Sequence, residues 1–149
     1  MRLLFQATIL LLSTSASHAA TLSAADAAKI IRAATHGVLK ATQGQYYNPE
    51  CREKVPYQAQ VIDLNGDGRP EVLTSEESTC LAGRAGVRME LFIQSKTGEW
   101  QPQFGFAGSP NILPDKHGGF PDIEIMGPGL CFPVWRWNGQ RYALHQGCD

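Results

Sequence analysis

Asp63-Leu64-Asn65-Gly66-Asp67-Gly68-Arg69-Pro70-Glu71 is the stretch on which the fold turns. Oxygen-bearing side chains fall at its first, third, fifth and ninth positions: Asp63, Asn65, Asp67 and Glu71. Alternate residues of a tight loop point inward, so these four are expected to converge. Gly68 permits the sharp bend, and Arg69 can offer its backbone carbonyl. Calcium is a hard cation that takes roughly six to eight oxygens at about 2.3–2.6 Å. Three carboxylates and an amide held this close repel one another unless a cation sits among them. Thr74 stands twelfth, where a helix–loop–helix calcium site has a bidentate Glu. Pro70 and the β-rich Val72-Leu73 also oppose an entering helix. The run is therefore a strand-to-strand link, with Tyr57 to Leu64 leading in and Val72-Leu73 leading out.

Working outward, Val87 to Gln94 alternates. Val87, Met89, Leu91 and Ile93 share one face, and Arg88, Glu90, Phe92 and Gln94 the other. The turn Lys96-Thr97-Gly98-Glu99 returns it through Trp100 to Phe106. Asn138-Gly139 between Phe132–Trp137 and Gln140–His145 reads as a two-residue hairpin turn. That register sets Trp137 against Gln140, Arg136 against Arg141 and Trp135 against Tyr142. Trp135, Trp137, Tyr142 and Leu144 then make one apolar face. Arg136 facing Arg141 needs a nearby acid, and Glu124 is the candidate.

Before the loop, Ser23 caps a helix whose apolar stripe is Ala27, Ile30, Ile31, Ala34 and Val38, fading before Gly44. Tyr46 to Pro56 reads as irregular, and Cys80 to Gly86 as a turn. Ala107 to Gly129, rich in Pro and Gly, reads as a long loop with one strand, Asp122 to Met126. The fold class expected is α+β: an N-terminal helix packed on one antiparallel sheet of about six or seven short strands, stapled by disulfides.

The chain has 149 residues, enough for one domain. Arg2, the apolar run Leu3 to Leu12 and the small-residue site Ser17-His18-Ala19 have the order of a secretory signal peptide. The expected cut follows Ala19, leaving residues 20–149 as a single calcium-binding domain that is periplasmic or secreted. The apolar run is short of the roughly 20 residues that span a bilayer, and no cysteine near the cut offers a lipid anchor. A formal net charge of −1 argues against nucleic acid as a partner.

Cys51, Cys80, Cys131 and Cys148 are an even set with wide spacing, which reads as disulfides rather than zinc or redox chemistry. Four cysteines allow three pairings. The C-terminal hairpin brings Cys148 one diagonal step from the position facing Cys131. This favours Cys131–Cys148, and with it Cys51–Cys80.

The D-x-N-x-D-G-x-x-E run, Asp63 to Glu71, resembles the calcium loops of FG-GAP and VCBS-type modules. The resemblance covers about 15 residues, and it implies Ca2+ held by Asp63, Asn65, Asp67 and Glu71 with the Arg69 carbonyl. Those families usually carry Asp where this chain has Glu71. A single copy implies a site, not a propeller. The layout of signal peptide, helix, calcium loop and W-R-W-N-G-x-x-Y hairpin is similar to exported lysozyme-inhibitor and immunity proteins. That likeness implies a binding module directed at a cell-wall hydrolase or effector. Gly108 to Pro121, with Asp115, His117 and Phe120, would be its partner surface. An envelope structural or adhesion module with a structural calcium, and an envelope hydrolase, are the alternatives. No H-E-x-x-H or G-x-S-x-G occurs and the cysteines are expected to be bridged, so no catalytic residue is assigned and an enzyme is not expected.

Overall fold

Ser23 starts the first helix as expected: its hydroxyl oxygen accepts from the Asp26 amide at 3.1 Å. In this computed structural model, which describes residues 22–40 and 43–148, helix α1 runs over Ala24–Ala34. The signal-peptide reading of residues 1–19 lies outside the described residues. The helix is shorter than its stripe implies. Thr35 Oγ1 donates back to the Ile31 carbonyl at 2.7 Å, and His36 and Gly37 adopt positive φ, which closes the helix. Val38 therefore leaves the apolar stripe and is 55% exposed.

The strands that follow are β1 (Gln43–Asn48), β2 (Glu53–Ile62), β3 (Glu71–Glu77), β4 (Val87–Gln94) and β5 (Trp100–Ala107). They form an antiparallel meander in the order β1-β2-β3-β4-β5. A short helix α2 (Thr79–Ala82) and a 3-10 turn (Gly83–Ala85) lie between β3 and β4, where the sequence reads as a turn. Beyond Gly108 the chain enters a second antiparallel sheet, β6 (Ser109–His117), β7 (Phe120–Met126), β8 (Val134–Trp137) and β9 (Tyr142–Gln146), again in chain order. Among the described residues there are thus nine strands in two sheets and two helices, where one sheet of six or seven strands was expected.

Two of the corrections share a cause. Tyr46–Pro56 was expected to be irregular because of its prolines, yet β1 pairs with β2 from Gln43↔Gln58 to Asn48↔Glu53. Pro56 is tolerated because β3 pairs with β2 only from Tyr57 onward, leaving no ladder partner to donate to on that side. The long loop expected over Ala107–Gly129 is instead the β6–β7 hairpin. Pro110 and Pro114 sit on β6, an edge strand where a missing N–H costs little, and the pairing slips between Ile112 and Lys116 around Pro114. Gly118 and Gly119, both at positive φ, make the turn.

One core cluster lies between α1 and the first sheet: Ile31, Ala34, Leu39, Tyr57, Ala59, Val72 and Phe92. The other lies between the sheets: Leu91, Ile93, Phe104, Phe120, Ile123, Ile125 and Tyr142. Both faces of β4 are consequently buried, although it alternates in sequence. The disulfides are Cys51–Cys80 and Cys131–Cys148. Among the described residues, no helix is long and apolar enough to cross a membrane.

Candidate functional site

The Asp63–Glu71 run closes where Ile62 pairs with Glu71 across β2 and β3. Its polar side chains turn inward and order the backbone. Asp63 accepts from the Gly66 amide at 2.8 Å and the Gly68 amide at 3.0 Å. Asn65 accepts from the Asp67 amide at 2.9 Å, and Asp67 from the Arg69 amide at 2.8 Å. Gly66 and Gly68 stand at φ 78° and 81°, which side-chain-bearing residues seldom adopt. Each carboxylate oxygen that takes one N–H keeps a second lone pair, so these bonds leave acceptor capacity inside the loop.

Glu71 is the buried member, 2% exposed, and accepts from the Leu64 amide at 2.7 Å. Burial, helped by Asp63 and Asp67 and opposed by the Leu64 amide, pushes its carboxyl up to about 7. Asp67 goes the other way: the Arg69 guanidinium, 2.8 Å from its Oδ2, holds it below the usual carboxylate range. The loop therefore offers one buried carboxylate, one carboxylate served by Arg69 and one held by backbone amides.

This donor set is all oxygen, which fits a hard divalent cation. Asp63, Asp67 and Glu71 nevertheless do not all bring an oxygen within 4.8 Å of one another. Among the described residues the one trio of potential ligand groups within 4.8 Å of one another is Cys51, Glu53 and Cys80, where the two sulfurs are bonded to each other.

The β6–β7 hairpin reaches this loop. A β carbon at Gly119 would stand 3.7 Å from Asn65 Cβ, and one at Gly118 would stand 2.9 Å from the Trp137 ring. The hairpin tip is wedged between the loop and Trp137. A cavity of about 420 Å3 opens beside this junction, with Asn65, Asp67, Glu71, Gln103 and Trp137 in its walls.

The three residues assigned to a partner surface separate. Asp115 is exposed on the edge strand. His117 is half-buried, with Nδ1 3.1 Å from Asp122 Oδ1. Phe120 is 7% exposed and packs on Trp137 with centroids 4.3 Å apart, so it is a core residue and not a contact.

The Arg136 partner is Asp122, not Glu124. Asp122 takes Arg136 Nη2 at 2.7 Å and Nε at 3.1 Å, while Glu124 accepts from Asn111 Nδ2 at 2.9 Å. The pairing of β7 with β8 explains the change: Ile123 faces Trp135 and Glu124 faces Val134, which leaves Asp122 beside Arg136. The last hairpin also departs from its expected register. Asn138 Oδ1 accepts from the Gln140 and Arg141 amides, each at 3.0 Å, which lengthens the turn to residues 138–141. Trp137 then pairs with Tyr142 and Arg136 with Ala143, two residues off the expected register. A slip of two keeps side chains on their faces, so Trp135, Trp137, Tyr142 and Leu144 still share one.

A second polar constellation has no counterpart in the sequence reading. Tyr46, Glu76, Arg88 and Glu90 meet on the helix-covered side of the first sheet because β3 and β4 pair Glu76 with Arg88 and Thr74 with Glu90. The alternation of Arg88 and Glu90 with Phe92 marked their shared face, but the partner strand could not be known.

The chain matches no protein-family model, no curated protein and no solved structure.

Proposed function

We propose that this chain is an exported calcium-binding protein of the inhibitor or immunity type, acting in the periplasm on a cell-wall hydrolase. The observation that supports this reading most directly is the seat of the β6–β7 hairpin against the calcium-type loop, Gly119 against Asn65. Asp63, Asn65, Asp67 and Glu71, with the Arg69 carbonyl, would hold Ca2+. The ion would stiffen the wall on which the hairpin tip rests. A recognition element that is already ordered loses less entropy on binding. The exposed side of the hairpin, with Asp115 and His117, would meet the partner, while Phe120 anchors it from beneath. The two disulfides suit an oxidising compartment.

The test has two parts. Calcium at about one hundred times its Kd should stabilise the fold by about 2.7 kcal/mol over the chelated protein. Asp63→Ala should erase that difference. Equal melting midpoints with calcium and chelator would reject the ion. Immobilised protein should capture a peptidoglycan-cleaving enzyme from envelope extract in calcium and release it in chelator, and purified protein should slow that enzyme. Failure to retain or slow any such enzyme at any calcium level would sink the inhibitor reading.

A further inference from the structure

A second cavity, of about 290 Å3, opens where the carboxyl end of α1 meets the first sheet, away from the loop. Val38, Leu39 and Phe92 give it apolar walls, and the Tyr46–Glu76–Arg88–Glu90 constellation gives it a charged one. Within that wall Glu76 is fully served: it accepts the Tyr46 hydroxyl at 2.7 Å and Arg88 Nη1 at 3.3 Å. Glu90 is not. Its nearest cation, Arg88 Nη2, lies 3.7 Å away, beyond hydrogen-bond length. Gly105 leaves room for the guanidinium, since a β carbon there would stand 3.0 Å from Nη2.

Two carboxylates thus share one guanidinium, and the wall carries a net negative charge. The end of α1, at Thr35 and His36, adds the negative pole of the helix at the rim. Burial, with the Glu76 charge beside it, raises the Glu90 carboxyl above its ordinary value against the pull of Arg88, and the side chain keeps 25% of its surface open. A bare divalent cation is a poor complement: Arg88 repels it, and one spare carboxylate falls far short of about six oxygens. An organic cation is a good one. Its head group would meet Glu90, and its stem would lie along Val38 and Leu39.

We propose that this cavity binds a primary ammonium group on a short alkyl stem, with Glu90 as its counter-ion. A free alkylamine and the end of a lysine side chain present the same chemistry.

The experiment is an amide-shift titration of the whole domain in chelator, which keeps it independent of the calcium reading. n-Butylamine should shift the cavity residues, and n-butanol, its neutral counterpart, should not. Glu90→Gln keeps the volume and removes the charge. It should weaken butylamine binding about tenfold or more, about 1.4 kcal/mol. Val38→Trp, at the exposed rim, should block entry without disturbing the core. A lysine-containing peptide that binds, while its N-acetyl-lysine form does not, assigns a protein side chain as the source. Binding of butylamine with exclusion of the peptide assigns a free amine. Equal shifts from butanol and butylamine would overturn the proposal. So would wild-type affinity in a Glu90→Gln protein whose spectrum shows an intact fold.

Discussion

Asp122 is 2% exposed and takes the Arg136 guanidinium through two nitrogens, with the His117 ring on its Oδ1. Removing it leaves Arg136 without its partner and opens a hole at the sheet centre. Asp122→Ala should cost about 2 kcal/mol in denaturant unfolding, the scale of hydrogen bonds to a charged group whose partner keeps contact with water. The same bonds hold its carboxyl below the ordinary Asp range, Arg136 being the larger cause. Its contribution is therefore complete above an unfolded value of about 3.9 and is lost as pH falls through the lower folded value. The acid limb of the stability profile should flatten in Asp122→Ala. At this scale much was legible. The cysteine pairing, the Ser23 cap and the need of Arg136 for an acid can all be read from residue types and spacing. The identity of that acid cannot, because it depends on how β7 registers against β8, where Ile123 faces Trp135 and so brings Asp122 to Arg136.

Gly108 shows how an element boundary can hide in one residue. Its φ is 144°, and a β carbon there would stand 2.2 Å from the Met126 carbonyl oxygen. Its amide still donates to the Val87 carbonyl at 2.9 Å, so the chain leaves one sheet and enters the other within a single step. Gly108→Ala should destabilise by about 2 kcal/mol or more, read as a lowered unfolding midpoint at unchanged slope. No periodic signal announces such a transfer. The prolines of β6 disguised it further, since a proline-bearing edge strand and a loop have the same composition. Elements with plain alternation, such as β4 and β5, were legible for the opposite reason: each carries its own pattern, whatever it packs against.

For the molecule as a whole, the two staples act on different parts. Cys51–Cys80 ties the β1–β2 turn to α2 across 29 residues, and Cys131–Cys148 ties the two ends of the last hairpin across 17. By loop-closure entropy, replacing both members of the first pair with Ser should cost about 3.5 kcal/mol and the second about 3 kcal/mol. Chemical denaturation of the two double variants checks the order. The helix-on-sheet layer was legible because an amphipathic helix must find a face to cover. The second sheet was not, because the sequence shows which strands bury apolar residues and not where their partner surface lies. The calcium-type loop was legible as a string of oxygens. Its contact with the distant hairpin tip was not, since that depends on how the sheets face each other.

Both sheets have every strand beside its neighbour in sequence, and the chain passes between them once, at Gly108. No strand has to wait for one made much later before it finds its edge. Short separations between paired segments lower the entropic cost of the folding barrier. A polypeptide laid out in this way can zip up in the order it is delivered, each strand templating the next.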